Sequence, residues 1–454
     1  MLDFLKLDKL GGSFASLQRA VSEKNTAVFS LSPGGRAHIA AALPSFVLYV
    51  APDRPQARET QKKLSAFKKT VLIHEKDDLL LHRRAVSAES VAERISALSE
   101  IISGGAEIAV ISAEGLLQPF PLKKRFTELI QTVECGREYQ REALLKKLAS
   151  AGYARVETVS AKGEFALRGD IADIYPINSA NPIRISFFDE LVEEIKEFDA
   201  ETMISGKRLS RVYLPPVSDI LFTAEETASA LQKLAAAYLG GRQREIIADL
   251  QLRTGFNPSD ASFVWLIPFI KNAFDTVFSY LPEGAVVIFD EPKLVADKLK
   301  LYFAEHKKRV ISLFEANEST EKHLDSLYTP EKLEKEWQNF RLVSFQQIVS
   351  VNPLFEPRAV FNIKSRAVTK YYLDRASLIS ELKVFAANDM RVALCAASAE
   401  RAKVIAEQIF SDGIFASAEN GFSGKSRIIV TDAEIETGFI YPEAGLVWRA
   451  PPSS

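Results

Sequence analysis

The residues Ser30-Leu-Ser-Pro-Gly-Gly-Arg-Ala37 follow a short apolar run, 27–29, and lead into a helix-prone run, 38–43. Strand, glycine-bearing loop and helix is the order in which nucleotide phosphates are held, by backbone N–H groups and the positive end of a helix dipole. In a working loop of the form G-x-x-x-x-G-K-[ST], the glycines let the backbone close, the Lys reaches the β and γ oxygens, and the hydroxyl ligates magnesium. Here those places fall to Ser30, Gly35, Arg36 and Ala37, with Gly34 adjoining. Ala37 offers magnesium nothing, and the planar fork of Arg36 replaces a compact ammonium poorly. Gly34 and Gly35 could still hold an inorganic anion. The reading favoured is a degenerate nucleotide loop kept as a tight strand-to-helix turn, without hydrolysis.

Two other motifs depend on that loop. Asp290 and Glu291, after the apolar run 286–289, resemble a Walker B carboxylate pair, which needs a magnesium-bound nucleotide to act on. Without one they are expected to be a strand-end turn with solvated charges. Gly424-Lys425-Ser426 ends like a P-loop, but position 419 is Glu and a strand follows, so a polar turn is expected. The two cysteines, Cys135 and Cys395, lie far apart and lack metal-ligand spacing, so no metal or cofactor is expected.

A different chemistry is written into residues 163–190. Alternation along "PIRISFFDE" sets Ile183, Ile185 and Phe187 on one face and Arg184, Ser186 and Phe188 on the other. In "GEFALRGD", Phe165 and Leu167 oppose Ala166 and Arg168. If the first sets are core, two strands present Arg168, Arg184 and Phe188 on a common surface. An exposed ring between guanidinium forks suits a protein-binding hot spot. Equally open on these residues alone is a shielded Phe with arginines bonded to Asp170, Asp173, Asp189 and Glu190.

The elements that would position these residues form an α/β pattern. Strands are expected at 47–50 and 107–111, and helices at 55–68 and 87–103, the latter with Ser90 and Glu93 at capping-box spacing. Such βαβ repeats imply a parallel sheet. A polar helix is expected from 134 to 151, closed by Gly152, and then antiparallel strands with Gly, Pro and Asn turns, making an inserted α+β module. Helix returns with the capping box Thr223/Glu226 and is closed by Gly240-Gly241; a buried strand follows at 286–289. A proline-punctuated linker from 351 precedes a small α/β unit with helices at 377–387 and 398–410 and strands at 391–395 and 427–430. The end, "LVWRAPPSS", shows no element pattern and suggests a truncated product.

The 454 residues exceed one core, and the net charge of −2 gives no global field toward nucleic acid or an anionic membrane. No apolar run reaches the length of a spanning helix, so a soluble, cytoplasmic monomer is expected.

The segments "GYARVETVSAKGEFALRGDIADIYP" and "PIRISFFDELVEEIKEFD" resemble the domain shared by UvrB and the transcription-repair coupling factor (Mfd) family, and the eroded loop sides with the latter. "ERISALSEIISGGAEIAVISAEGLLQ" and "TDAEIETGFIYPEAG" extend the likeness over most of the chain. The resemblance implies a split α/β domain from 1–126 and 217–347, an inserted UvrA-binding domain at 127–216, and a linker with a small third domain at 348–454. It places the UvrA contact at Arg168, Arg184 and Phe188, the three residues that strand alternation selects. Complete family members also carry an RNA-polymerase-interacting domain, DNA-translocase domains with an ATP site, and a regulatory domain, none matched in these residues. The expectation is a non-catalytic module recruiting UvrA in nucleotide excision repair by mimicking UvrB. The alternative is a divergent UvrB-like ATP- and DNA-binding repair protein.

Overall fold

The computed structural model describes residues 2–76, 79–80, 88–237, 241–256, 261–270, 272–368, 375–422, 426–435 and 437–449. Short strands with a near-continuous run of Val, Ile, Leu and Ala pair in parallel into a seven-stranded sheet. Its order is Ala359–Asn362, Thr26–Phe29, Arg341–Gln346, Val286–Asp290, Val47–Ala51, Ile108–Ser112 and Thr70–Leu72. Both faces of such a sheet must be covered, and successive side chains go to opposite sides. Accordingly Tyr49 and Val286 join one core with Phe14, Leu17 and Ile39, while Leu48, Val50 and Val287 join another with Ile95, Leu98, Val295 and Leu299.

Three sequence expectations change here. The helix Ala88–Ile102 already contains Ser90, so Ser90 does not cap it; residues 81–87 lie outside the described residues. The segment 134–151 is not one helix. Gln131–Glu134 is a strand paired with Arg211–Leu214, Gly136 turns the chain at φ 81°, and the helix occupies only Arg141–Ser150. The left-handed turn at Gly136 interrupts what the charge pattern suggested was continuous. Thr223 and Glu226 do form their reciprocal cap, at 2.8 and 3.1 Å, on the helix Ala224–Ala237. Gly240 is outside the described residues, whereas Gly241 opens the next helix, Gly241–Phe256.

Between the strands Ile108–Ser112 and Val286–Asp290, the chain builds a six-stranded sheet. Its order is Ser205–Leu209, Leu191–Phe198, Ile183–Phe188, Ile171–Ile174, Glu164–Arg168 and Ala154–Arg155, antiparallel except for the last pair. The inner face packs Phe165, Ile174, Ile183, Ile185, Phe187 and Ile195 against Leu144 and Leu148 of the helix Arg141–Ser150. Buried charge pins its exit: Asp219 meets Lys76 at 2.7 Å and Arg94 at 3.1 Å, and Arg94 also donates to the carbonyls of His74 and Pro119.

The last unit is a mixed sheet ordered Arg366–Ala367, Phe439–Tyr441, Leu446–Arg449, Arg391–Cys395, Ile428–Thr431 and Ala416–Ser417. The C-terminal run read as patternless thus supplies a strand between two others; Leu446, Val447 and Trp448 are all buried because both neighbours and both faces are occupied. Phe439, Tyr441 and Trp448 share a core with Phe4, Phe14 and His38 across to the first sheet, so the two units are packed together.

Candidate functional site

The opening loop sits at the carboxyl end of the strand Thr26–Phe29, where open parallel sheets take ligands. Ser30 turns at φ 67°, and Ser32 caps the helix Pro33–Ala42, its hydroxyl accepting from the Gly35 N–H at 3.3 Å. Gly34 and Gly35 therefore lie in the first helical turn. What requires them is close approach. A Cβ on Gly35 would meet Ser365 Oγ at 2.4 Å, and one on Gly34 would meet the carbonyl oxygens of Gly438 and Thr437 at 2.9 and 3.0 Å. The Ser365 hydroxyl accepts from the Ser32 N–H at 2.6 Å and donates to Ser32 Oγ at 2.9 Å. The helix start is covered by the C-terminal unit.

Arg36 turns the other way. Its guanidinium donates to Asp290 Oδ1, and to Glu291 Oε1 at 2.5 Å. The expected solvated turn is thus corrected: Asp290 is buried and ion-paired, because Arg36 reaches across from the loop helix to the end of the strand Val286–Asp290. Burial pushes the Asp290 carboxyl up from the ordinary range, and the Arg36 charge pulls against it. For Arg36, burial opposes the charge, but the attraction of Asp290, with Tyr49 and Glu291, outweighs it and raises its pKa. Glu291 is itself at φ 51°, a left-handed position for a non-glycine residue, which aims its carboxylate at Arg36 and at the Gln347 N–H. Beside the pair is a cavity of about 160 Å³ lined by Arg36, Ala37, Tyr49, Lys63 and Asp290; ligand pockets usually hold roughly 300 Å³ or more. A larger cavity, about 500 Å³, lies between Leu43, Gly284 and Arg341 at the amino ends of the strands. Ser426 is buried and donates to the Ile428 carbonyl, while Gly424 and Lys425 are outside the described residues.

On the inserted sheet, the strand Ile171–Ile174 lies between the two strands that carry the selected residues. Register still brings the three selected residues to one face. Ala166 and Arg184 both pair with Asp173, Arg168 and Ser186 both pair with Ile171, and Phe188 lies two residues beyond Ser186. Phe188 is 69% exposed. The arginines are less free than the ring. Arg184 forks onto Asp173 at 2.7 and 2.8 Å and lies 4.8 Å over the Phe198 ring, which is the arrangement the alternative reading expected of it. Arg168 donates to the Glu157 carbonyl at 2.8 Å and to Thr158 Oγ1. Asp173, buried beneath Arg184, was detectable as an acid at the paired position, but the cross-strand register needed to place it was not.

Residues 132–219 match the family model of the UvrB interaction domain, so the exposed face belongs to a module of that class. Over most of its length the chain is similar to transcription-repair-coupling factors. It is 23% identical to that of Bacillus subtilis over 82% of its own length and 33% of the relative's. With that of Staphylococcus haemolyticus the identity is 23%, over 98% of this chain and 39% of the relative. The chain therefore spans little more than a third of the length of these relatives. No helix among the described residues is long and apolar enough to cross a membrane.

Proposed function

We propose that this chain is the N-terminal part of a transcription-repair coupling factor and recruits UvrA through the outer face of its inserted domain, in the manner of UvrB. The observation that carries this reading is Phe188: a large ring, mostly in solvent, on the outer face of a UvrB interaction domain, with Arg168 and Arg184 on the same face. A ring beside arginine side chains is the composition enriched where partners dock. The reading takes the domain limits as 1–126 with 217–347, 127–216, and 348–454, the last stretch also lending the strand Ala359–Asn362 to the first sheet.

The chain acts without hydrolysing nucleotide. Ala37 supplies no magnesium ligand, Arg36 holds the two acids a metal-bound nucleotide would need, and Ser365 stands against the helix start. Calorimetric titration with purified UvrA tests the first part, with binding expected for the wild type and at least a tenfold loss for Phe188→Ala. Titration with Mg-ATP tests the second; saturable micromolar binding would favour a UvrB-like nucleotide-dependent protein instead.

A further inference from the structure

We infer that the docking face is wider than Arg168, Arg184 and Phe188, with an apolar ridge formed by Phe188, Leu191 and Ile171 and an outlying cation, Arg208, that steers the partner. This rests on the reading of the inserted domain as a UvrA-binding module.

The ridge follows from register. Leu191 pairs directly with Phe188 across the hairpin, and Ile171 pairs with Ser186, which precedes Phe188 on the same face. The irregularity after Ser186 keeps this parity: Val192 and Ile195 stay in the core, and Glu194 and Lys196 come out with Leu191. Ile171 is 38% exposed, so ring and branched chain form one apolar patch at the hairpin end of the sheet. Diagonal cross-strand neighbours of this kind are within reach of an aromatic side chain.

The charges divide by how committed they are. Arg184 is tied to Asp173, Lys196 meets Glu194 at 2.5 Å, and Arg208 meets Glu194 at 2.7 Å. With Arg168, the face carries four cations against three acids, Glu164 sharing the parity of Arg168 on its strand. Arg208 pairs with Lys196, which pairs with Arg184, so it stands two strands out, ~10 Å from Arg184. Its side chain is 78% exposed, far more than that of Arg184 at 26%. Arg184 is then a positioning residue that holds Asp173, and Arg208 is the cation an approaching acidic rim meets first. The partner surface that fits is an apolar socket bordered by carboxylates.

Association kinetics with purified UvrA test this, using Phe188→Ala, Ile171→Ser, Arg208→Glu and, as a control, Ile204→Ser. Ile204 is 68% exposed but sits in the turn at the opposite end of the sheet. Ile171→Ser is expected to speed dissociation about tenfold. Arg208→Glu is expected to slow association by a similar factor and to flatten its salt dependence. Ile204→Ser is expected to change neither. Loss of binding with Phe188→Ala alone, the other variants matching wild type, overturns the wider face and leaves the recruitment reading standing. Wild-type behaviour of all the variants, with melting temperatures unchanged, removes both.

Discussion

Arg36 and Asp290 lie 254 positions apart in sequence and meet as a buried ion pair, each side chain about one-tenth exposed. The pair ties the loop helix to the central strand Val286–Asp290 and so joins the two stretches of chain that the inserted domain separates. Removing one partner from a buried pair leaves an uncompensated charge, at a cost of about 3–5 kcal/mol, whereas replacing both by apolar groups is often nearly neutral. Arg36→Leu is therefore expected to lower the unfolding free energy in urea by about that amount. The double variant Arg36→Leu/Asp290→Leu should recover most of the loss. A single variant as stable as wild type would show that the pair contributes nothing.

His38 gives the same region a pH dependence. It is fully buried on the loop helix, with Nε2 2.7 Å from the Leu5 carbonyl and Nδ1 3.0 Å from the Tyr441 hydroxyl. Burial pulls its pKa from 6.5 down to about 4, with the Leu5 bond opposing. The folded state therefore resists a proton that the unfolded chain accepts. Its contribution is intact above pH 6.5 and is lost as pH falls toward 4, by about 3 kcal/mol in all. Denaturant titrations between pH 7.5 and 4 should show this decline on top of the other groups, and His38→Gln should remove that component. An equal slope in the variant would exclude His38 as its source.

How much of this could be read from residues depends on how local the cause is. The missing hydroxyl at Ala37 and the reciprocal cap of Thr223 and Glu226 are matters of spacing within a few positions, and both were legible. So was the common face of Arg168, Arg184 and Phe188, because alternation has a fixed period of two. What was not legible is long-range: Asp290 finding Arg36, Ser365 and Gly438 closing over Gly34 and Gly35, and the register that picks Asp173 from the four acids named for the arginines. The strand Leu446–Arg449 was missed for a related reason. Four apolar or amphipathic residues beside prolines carry no period, and only the neighbours that pair with them make a strand.

Asp219 offers a test of how rigidly the inserted domain is held. The residue leaves the insert and is buried between Lys76 and Arg94. Burial alone would raise its pKa, but the two cations overcome this and hold the carboxyl below its ordinary range. Asp219→Asn keeps the shape and strands both cations, so a loss on the order of 3 kcal/mol is expected. Hydrogen exchange should quicken in residues 215–222 before the inserted sheet itself is affected. Exchange unchanged in that segment would mean that the clamp does not fix the domain.

Arg184 and Phe188 share a face, yet their substitution should have different physical consequences. Arg184 covers Asp173, whose carboxylate is mostly buried, and the Asp173 bond raises the arginine's own pKa. Arg184→Glu would put two carboxylates opposite each other on adjacent strands, so it should cost about 1–3 kcal/mol of stability, as well as any binding. Phe188→Ala removes a ring that touches mostly water and should leave the melting temperature within a degree or two, while removing an anchor of about 2 kcal/mol from the complex with UvrA. Thermal melts beside titrations separate the two. If both variants bind weakly but only Arg184→Glu melts early, the ring is the contact and the arginine its support. Should Phe188→Ala also melt early, the ring is packed in the folded chain and the face proposed for docking is not free.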